Sequence, residues 1–97
     1  MGPARVILAP SVVEALLAVN SKDEVTRLRR RLSALEVVPL MGEIYDPLYD
    51  SARPPHEVRV TFAGHYGIYY TYDEASREVH VEFLEDCRRD SLSKFRT

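Results

Sequence analysis

His56-Glu57-Val58-Arg59-Val60-Thr61-Phe62-Ala63-Gly64-His65-Tyr66-Gly67-Ile68-Tyr69-Tyr70-Thr71-Tyr72 is the stretch that decides the fold. From His56 to Ala63 apolar and polar residues alternate, the period of a half-buried strand. Val58, Val60 and Phe62 share one face; Glu57, Arg59 and Thr61 share the other. Gly64-His65 reads as a hairpin turn. Tyr66 to Tyr72 is the next strand. Asp73-Glu74-Ala75-Ser76-Arg77 makes a second turn. Glu78 to Leu84 alternates again, and Val79, Val81 and Phe83 are expected to face inward. Sequential strands usually pair, so three antiparallel strands are predicted here.

Upstream the period becomes helical. Arg5 to Ala9 is a short apolar strand bounded by Pro10. Ser11 with Glu14, and Ser21 with Glu24, are two capping boxes, each predicting a helix start. The first helix carries Val12, Val13, Leu16, Leu17 and Val19, and Asn20 can end it. The second carries Val25, Leu28, Leu32 and Leu35 on one stripe, with Arg27, Arg30 and Arg31 opposite, and Pro39 stops it. The two make a helix hairpin. Residues 40–55 read as a long connection with room for a short edge strand. The polar tail has a short helix from about Ser91 as its expectation. The whole is a two-layer α+β domain: an N-terminal strand and a helix hairpin packed on a small antiparallel sheet, spanning residues 1–97 as one unit. The open sheet face is expected to carry Arg59, Thr61, Gly67, Tyr69, Thr71, His80 and Glu82.

Composition bounds the function. The 97 residues include 13 Lys and Arg against 15 Asp and Glu, a net charge of −2. Overall charge therefore implies no polyanion partner. A lone cysteine, Cys87, excludes an internal disulfide and a cysteine-based zinc site, and suits a reducing compartment. No apolar run is long enough for a membrane helix. Phosphate-binding loops, nucleophile elbows and dinucleotide fingerprints are absent, and no cofactor is expected.

Several segments in order resemble the RelE/ParE superfamily of toxins from bacterial type II toxin–antitoxin modules. Pro39-Leu40-Met41-Gly42 is similar to that family's connection after the helices. His56-Glu57-Val58-Arg59-Val60 looks like its arginine-bearing strand. Ala63-Gly64-His65-Tyr66-Gly67-Ile68-Tyr69-Tyr70 is similar to its glycine–tyrosine signature, and Glu85-Asp86-Cys87-Arg88-Arg89-Asp90 resembles its closing segment. The resemblance implies a cytoplasmic toxin neutralised by a cognate antitoxin protein. The target it implies is the ribosome with its mRNA, for an endoribonuclease, or DNA gyrase, for a non-enzymatic inhibitor; a degenerate member would keep antitoxin binding alone. A homodimer is also allowed, and no membrane partner is expected.

Cleaving an RNA phosphodiester requires removal of the 2′-hydroxyl proton, stabilisation of the pentavalent phosphate, and a proton for the 5′ oxygen. The candidates for phosphate stabilisation are Arg59, Arg88 and Arg89, whose forked donors suit a phosphate. His80, with Glu82 two residues on, and His65 are the acid–base candidates. Tyr69 and Phe95 are the base-stacking candidates. Bland alternatives stand beside each: a cross-strand ion pair for Arg59, a solvated strand position for His80, a tolerated turn residue for His65, local compensation of acids for Arg88 and Arg89, and core packing for most tyrosines. Arg27, Arg29, Arg30 and Arg31 form the densest basic cluster, readable as a nucleic-acid contact or as a solvated helix face. Gly67 stands where the family signature carries the arginine that faces the scissile phosphate in messenger-cleaving members. It favours the gyrase alternative.

Overall fold

The computed structural model describes residues 3–46 and 56–88. Its order is β1 (Arg5–Leu8), α1 (Pro10–Leu17), α2 (Lys22–Val37), β2 (Glu43–Ile44), β3 (Arg59–Ala63), β4 (Tyr66–Asp73) and β5 (Glu78–Asp86). The two-layer α+β architecture is present, with β3, β4 and β5 as a consecutive antiparallel meander. The full strand order is β1-β5-β4-β3-β2. β1 runs parallel to β5, so the sheet is mixed rather than wholly antiparallel. β2 supplies the short edge strand, antiparallel to β3. The expected helix from Ser91 lies outside the described residues. No described helix is long and apolar enough to cross a membrane.

Helix α1 begins two residues earlier than a Ser11 N-cap would place it. Ala9 is its N-cap, Pro10 occupies the first turn, and no side chain caps it. Proline suits that place because its missing N–H would be unpaired there and its φ is already helical. Helix α2 starts as expected: the Ser21 hydroxyl accepts from the Glu24 backbone N–H at 3.3 Å. It ends at Val37, ahead of Pro39.

The core joins Val12 of α1 and Leu28 and Leu35 of α2 to Ala63, Tyr66, Ile68, Tyr70, Val79 and Val81 of the sheet. Tyr66 and Tyr70 thus face the helices, as their parity implied. Two expectations about strand faces are corrected. In β3, Thr61 and Ala63 turn toward the helices, while Phe62 is 49% exposed on the open face. Small side chains let α2 lie close to β3, and Phe62 pairs across from Gly67, where its ring covers a position that has no side chain. In β5, Tyr69 pairs with Phe83 but Tyr70 pairs with Val81, so Glu82 is an extra, bulged residue. A bulge reverses the alternation beyond it. Val79 and Val81 therefore point inward and Phe83 points outward.

Gly64, in the β3–β4 turn, has φ +63°, and a Cβ there would lie 2.8 Å from a guanidinium nitrogen of Arg27. The positive φ is what favours glycine, since the Arg27 guanidinium is the end of a flexible side chain and can give way. Gly64→Ala should lower stability by about 1–2 kcal/mol, the cost of a left-handed backbone on a residue with a Cβ. Urea denaturation checks this.

Candidate functional site

The residues singled out for chemistry fall in three places. Arg59 is not on the open face. It pairs with Tyr70 in register and so shares the helix side of the sheet. Its guanidinium donates to the Gly42 carbonyl at 2.9 Å and to the Leu40 carbonyl at 3.4 Å, with the Glu57 carboxylate 3.7 Å away. The Gly42 N–H in turn donates to the Tyr70 hydroxyl at 2.9 Å. Arg59 and Tyr70 together fix the connection between α2 and β2.

His65 and Arg88 are brought together at the end of the sheet nearest the β3–β4 turn, with three partners that sequence reasoning did not single out. His65 Nε2 lies 3.1 Å from Glu24 Oε2 and 3.7 Å from Asp86 Oδ1. It is buried and off the line of any hydrogen bond, so the contact is ionic in kind. Arg88 grips Asp86 with two bonds, Nε to Oδ1 at 3.2 Å and Nη2 to Oδ2 at 3.0 Å, and its Nη1 is 3.9 Å from Glu24. The Tyr66 hydroxyl donates to Glu24 at 3.5 Å. Burial first, then the Glu24 and Asp86 carboxylates, push that hydroxyl above its ordinary value of 10. Two carboxylates and a guanidinium already committed to one of them make a clamp between α2 and the sheet; a phosphate placed here would meet both acids.

Asp86 is held at about 2, chiefly by its Arg88 bonds. A depressed carboxyl stabilises the fold above the ordinary value of 3.8, and this contribution is lost as pH falls toward 2. A carbon-detected NMR titration should place the Asp86 midpoint near 2 in the native protein. Arg88→Ala should return it toward the ordinary carboxylate range.

His80 is on the open face, paired in register with Thr71 and Ile7. Its Nε2 is 3.1 Å from Glu78, not from Glu82. Glu78 also binds Arg5. Glu82, the unpaired residue of the bulge, lies 3.3 Å from His56 Nε2 and accepts from the Thr71 hydroxyl at 3.4 Å. One face therefore holds two histidine–carboxylate pairs on either side of Thr71, with Arg5 at one end. In each pair a proton on Nε2 directed at the carboxylate leaves Nδ1 as the basic nitrogen. His56 and Arg5 were missed because His56 precedes β3 and Arg5 reaches this face only through the parallel β1–β5 pairing. His65 and His80 cannot meet: His80 pairs with Thr71, six residue steps beyond His65, roughly 20 Å along the strand.

At the other end of this face the floor is aromatic. Tyr69 is 1% exposed, edge-on to Tyr45 at 5.4 Å and beside Phe83 at 5.8 Å. Its hydroxyl donates to the buried Glu85 at 3.1 Å. A Cβ on Gly67 would meet Tyr69 at 3.2 Å, Phe62 at 3.3 Å and the Cys87 sulfur at 3.7 Å. The position where the family signature has arginine is thus closed over by rings. Arg89 and Phe95 lie outside the described residues.

A helix pair on one side of a five-stranded sheet, with β1 parallel to the last strand of a meander, is the RelE-like fold. The solved structure it resembles is a chain of the archaeal RelE–RelB complex from Pyrococcus horikoshii OT3, with a TM-score of 0.70 over 91% of this chain and 99% of that one, at 17% identity. No protein-family model matches the sequence. No curated protein matches it.

Proposed function

We propose that this protein is the toxin of a toxin–antitoxin pair, acting in the cytoplasm as a ribosome-associated endoribonuclease on messenger RNA and neutralised by an antitoxin polypeptide. The observation that carries the toxin assignment is the likeness, over nearly the full length of both chains, to a RelE chain solved in complex with RelB. The enzymatic step draws its support from the open face. His80, oriented by Glu78, takes the 2′-hydroxyl proton as the 2′ oxygen bonds to phosphorus; the 5′ oxygen leaves and takes a proton from an acid such as His56. Arg5 supplies positive charge at the same end.

A second reading, inhibition of DNA gyrase by binding, is favoured by Gly67 itself, which stands in place of the phosphate-facing arginine of the cleaving members with the Tyr69 and Phe62 rings packed against it. Pulse labelling after induced expression without antitoxin separates the two. A messenger-cutting toxin stops amino-acid incorporation first. A gyrase inhibitor stops thymidine incorporation first. No effect on either, with folded protein present, would leave only a module that binds antitoxin.

A further inference from the structure

The outer edge of β1 is unpaired among the described residues. The strand stands at one end of the sheet and pairs only with β5. The Arg5 and Ala9 N–H groups donate to the Arg77 and Val81 carbonyls, each at 2.9 Å. By the alternation of a strand, Ile7 also faces β5, while Val6 and Leu8 turn their N–H and C=O groups the other way. No hydrogen bond from a described residue reaches those outward groups. Val6-Ile7-Leu8 holds no charge, proline or bulge, the usual guards of an exposed edge. The opposite edge, β2, is two residues long and carries Glu43.

We infer that two copies of this chain pair through β1, antiparallel, into one continuous sheet. A two-fold axis at Ile7 uses every outward group: Val6 and Leu8 of one copy exchange both bonds with Leu8 and Val6 of the other. Ile7, 39% exposed on the open face, then lies directly across from its own counterpart. That is the close, non-hydrogen-bonded kind of pair, in which apolar side chains cover each other. The strand's single charge, Arg5, falls across from Ala9 and is already matched by Glu78. The two Arg5 positions stand roughly 14 Å apart, beyond the reach of screened repulsion. A net charge of −2 per chain adds little repulsion between copies. A strand of another sequence could make the same backbone bonds. A second copy also brings the apolar match at Ile7 and keeps the arginines apart. The pairing sets the two His80 side chains on one surface, three strand spacings or roughly 14 Å from each other.

Light scattering on the full chain over a concentration series tests this, with amide hydrogen exchange alongside. The mass should climb from 11.1 kDa toward twice that value. The Val6 and Leu8 amides should exchange more slowly as concentration rises, while the Ile7 amide, already facing β5, should not change. Ile7→Lys sets like charges across the axis at an exposed position. It should keep the fold by circular dichroism and weaken the pairing by about tenfold or more. Mixing Ile7→Lys with Ile7→Glu should restore association, because the two side chains then meet. A mass of 11.1 kDa at every concentration would overturn the inference and leave this edge to a strand of another protein. A dimer that Ile7→Lys leaves intact would also overturn it, as would one whose Val6 and Leu8 amides ignore concentration. No cleavage or toxicity is read, so the toxin assignment stands or falls separately.

Discussion

His80→Gln should lower the rate of message cleavage in a reconstituted translation reaction by about 10²–10⁴, the usual worth of a positioned acid or base. Glutamine can still donate a hydrogen bond to Glu78 but cannot take a proton. The thermal midpoint should hardly move, because His80 is a half-exposed strand residue whose hydrogen-bond partner, Glu78, glutamine can still reach. Arg59→Met supplies the contrast. Arg59 serves the Gly42 and Leu40 carbonyls on the helix side, so its loss should cost stability, about 1–3 kcal/mol for acceptors left unpaired, and should leave the cleavage rate of the folded fraction near that of the parent. Equal rate losses in the two variants would remove the distinction between the faces.

Leu28→Ala should cost about 2–5 kcal/mol. Leu28 has no exposed surface and sits in the hydrophobic cluster that joins α2 to the sheet. The sheet residues of that cluster are held by paired strands, which limits collapse into the space. For a domain this small each kcal/mol moves the melting midpoint by about 4–8 °C, so a fall of some 10–30 °C is expected by circular dichroism. Against a total stability of about 5–15 kcal/mol, that loss can by itself abolish function in the cell. A fall of under 5 °C would mean that α2 is not anchored as described.

Much of the fold was legible because local signals agreed with one another. The Ser21–Glu24 cap, the leucine stripe of α2 and the period-two stretches around Gly64 all point to one architecture, and the even-numbered tyrosines of β4 pack where their parity put them. What escaped depended on contacts distant in sequence. The parallel pairing of β1 with β5 brings Arg5 beside Glu78, and no local pattern announces it. The bulge at Glu82 reverses Phe83 and turns Glu82 toward His56, so the expected His80–Glu82 neighbourhood became two separate pairs. In β3 hydropathy pointed the wrong way: Phe62 covers a glycine outside while Thr61 lies inside, because space under α2 outweighed apolarity. Arg59 followed that reversal. The clamp of Glu24, His65, Asp86 and Arg88 unites three segments far apart in the chain, of which only His65 and Arg88 stood out by residue type.

Gly67 links sequence and mechanism most closely. In the signature it resembles, an arginine there would face phosphate; here Phe62 and Tyr69 close over the glycine and Glu85 lies buried alongside. The endoribonuclease proposed above would therefore carry its phosphate chemistry at the His80 end, where two histidines stand with their carboxylates.

Primer extension on a message in a purified translation system tests that chemistry most directly. Added protein should create new 5′ ends within the coding region, only while ribosomes occupy the message, and the ends should fade with His80→Gln. An intact message under the same protein, together with loss of DNA supercoiling by purified gyrase, would contradict it.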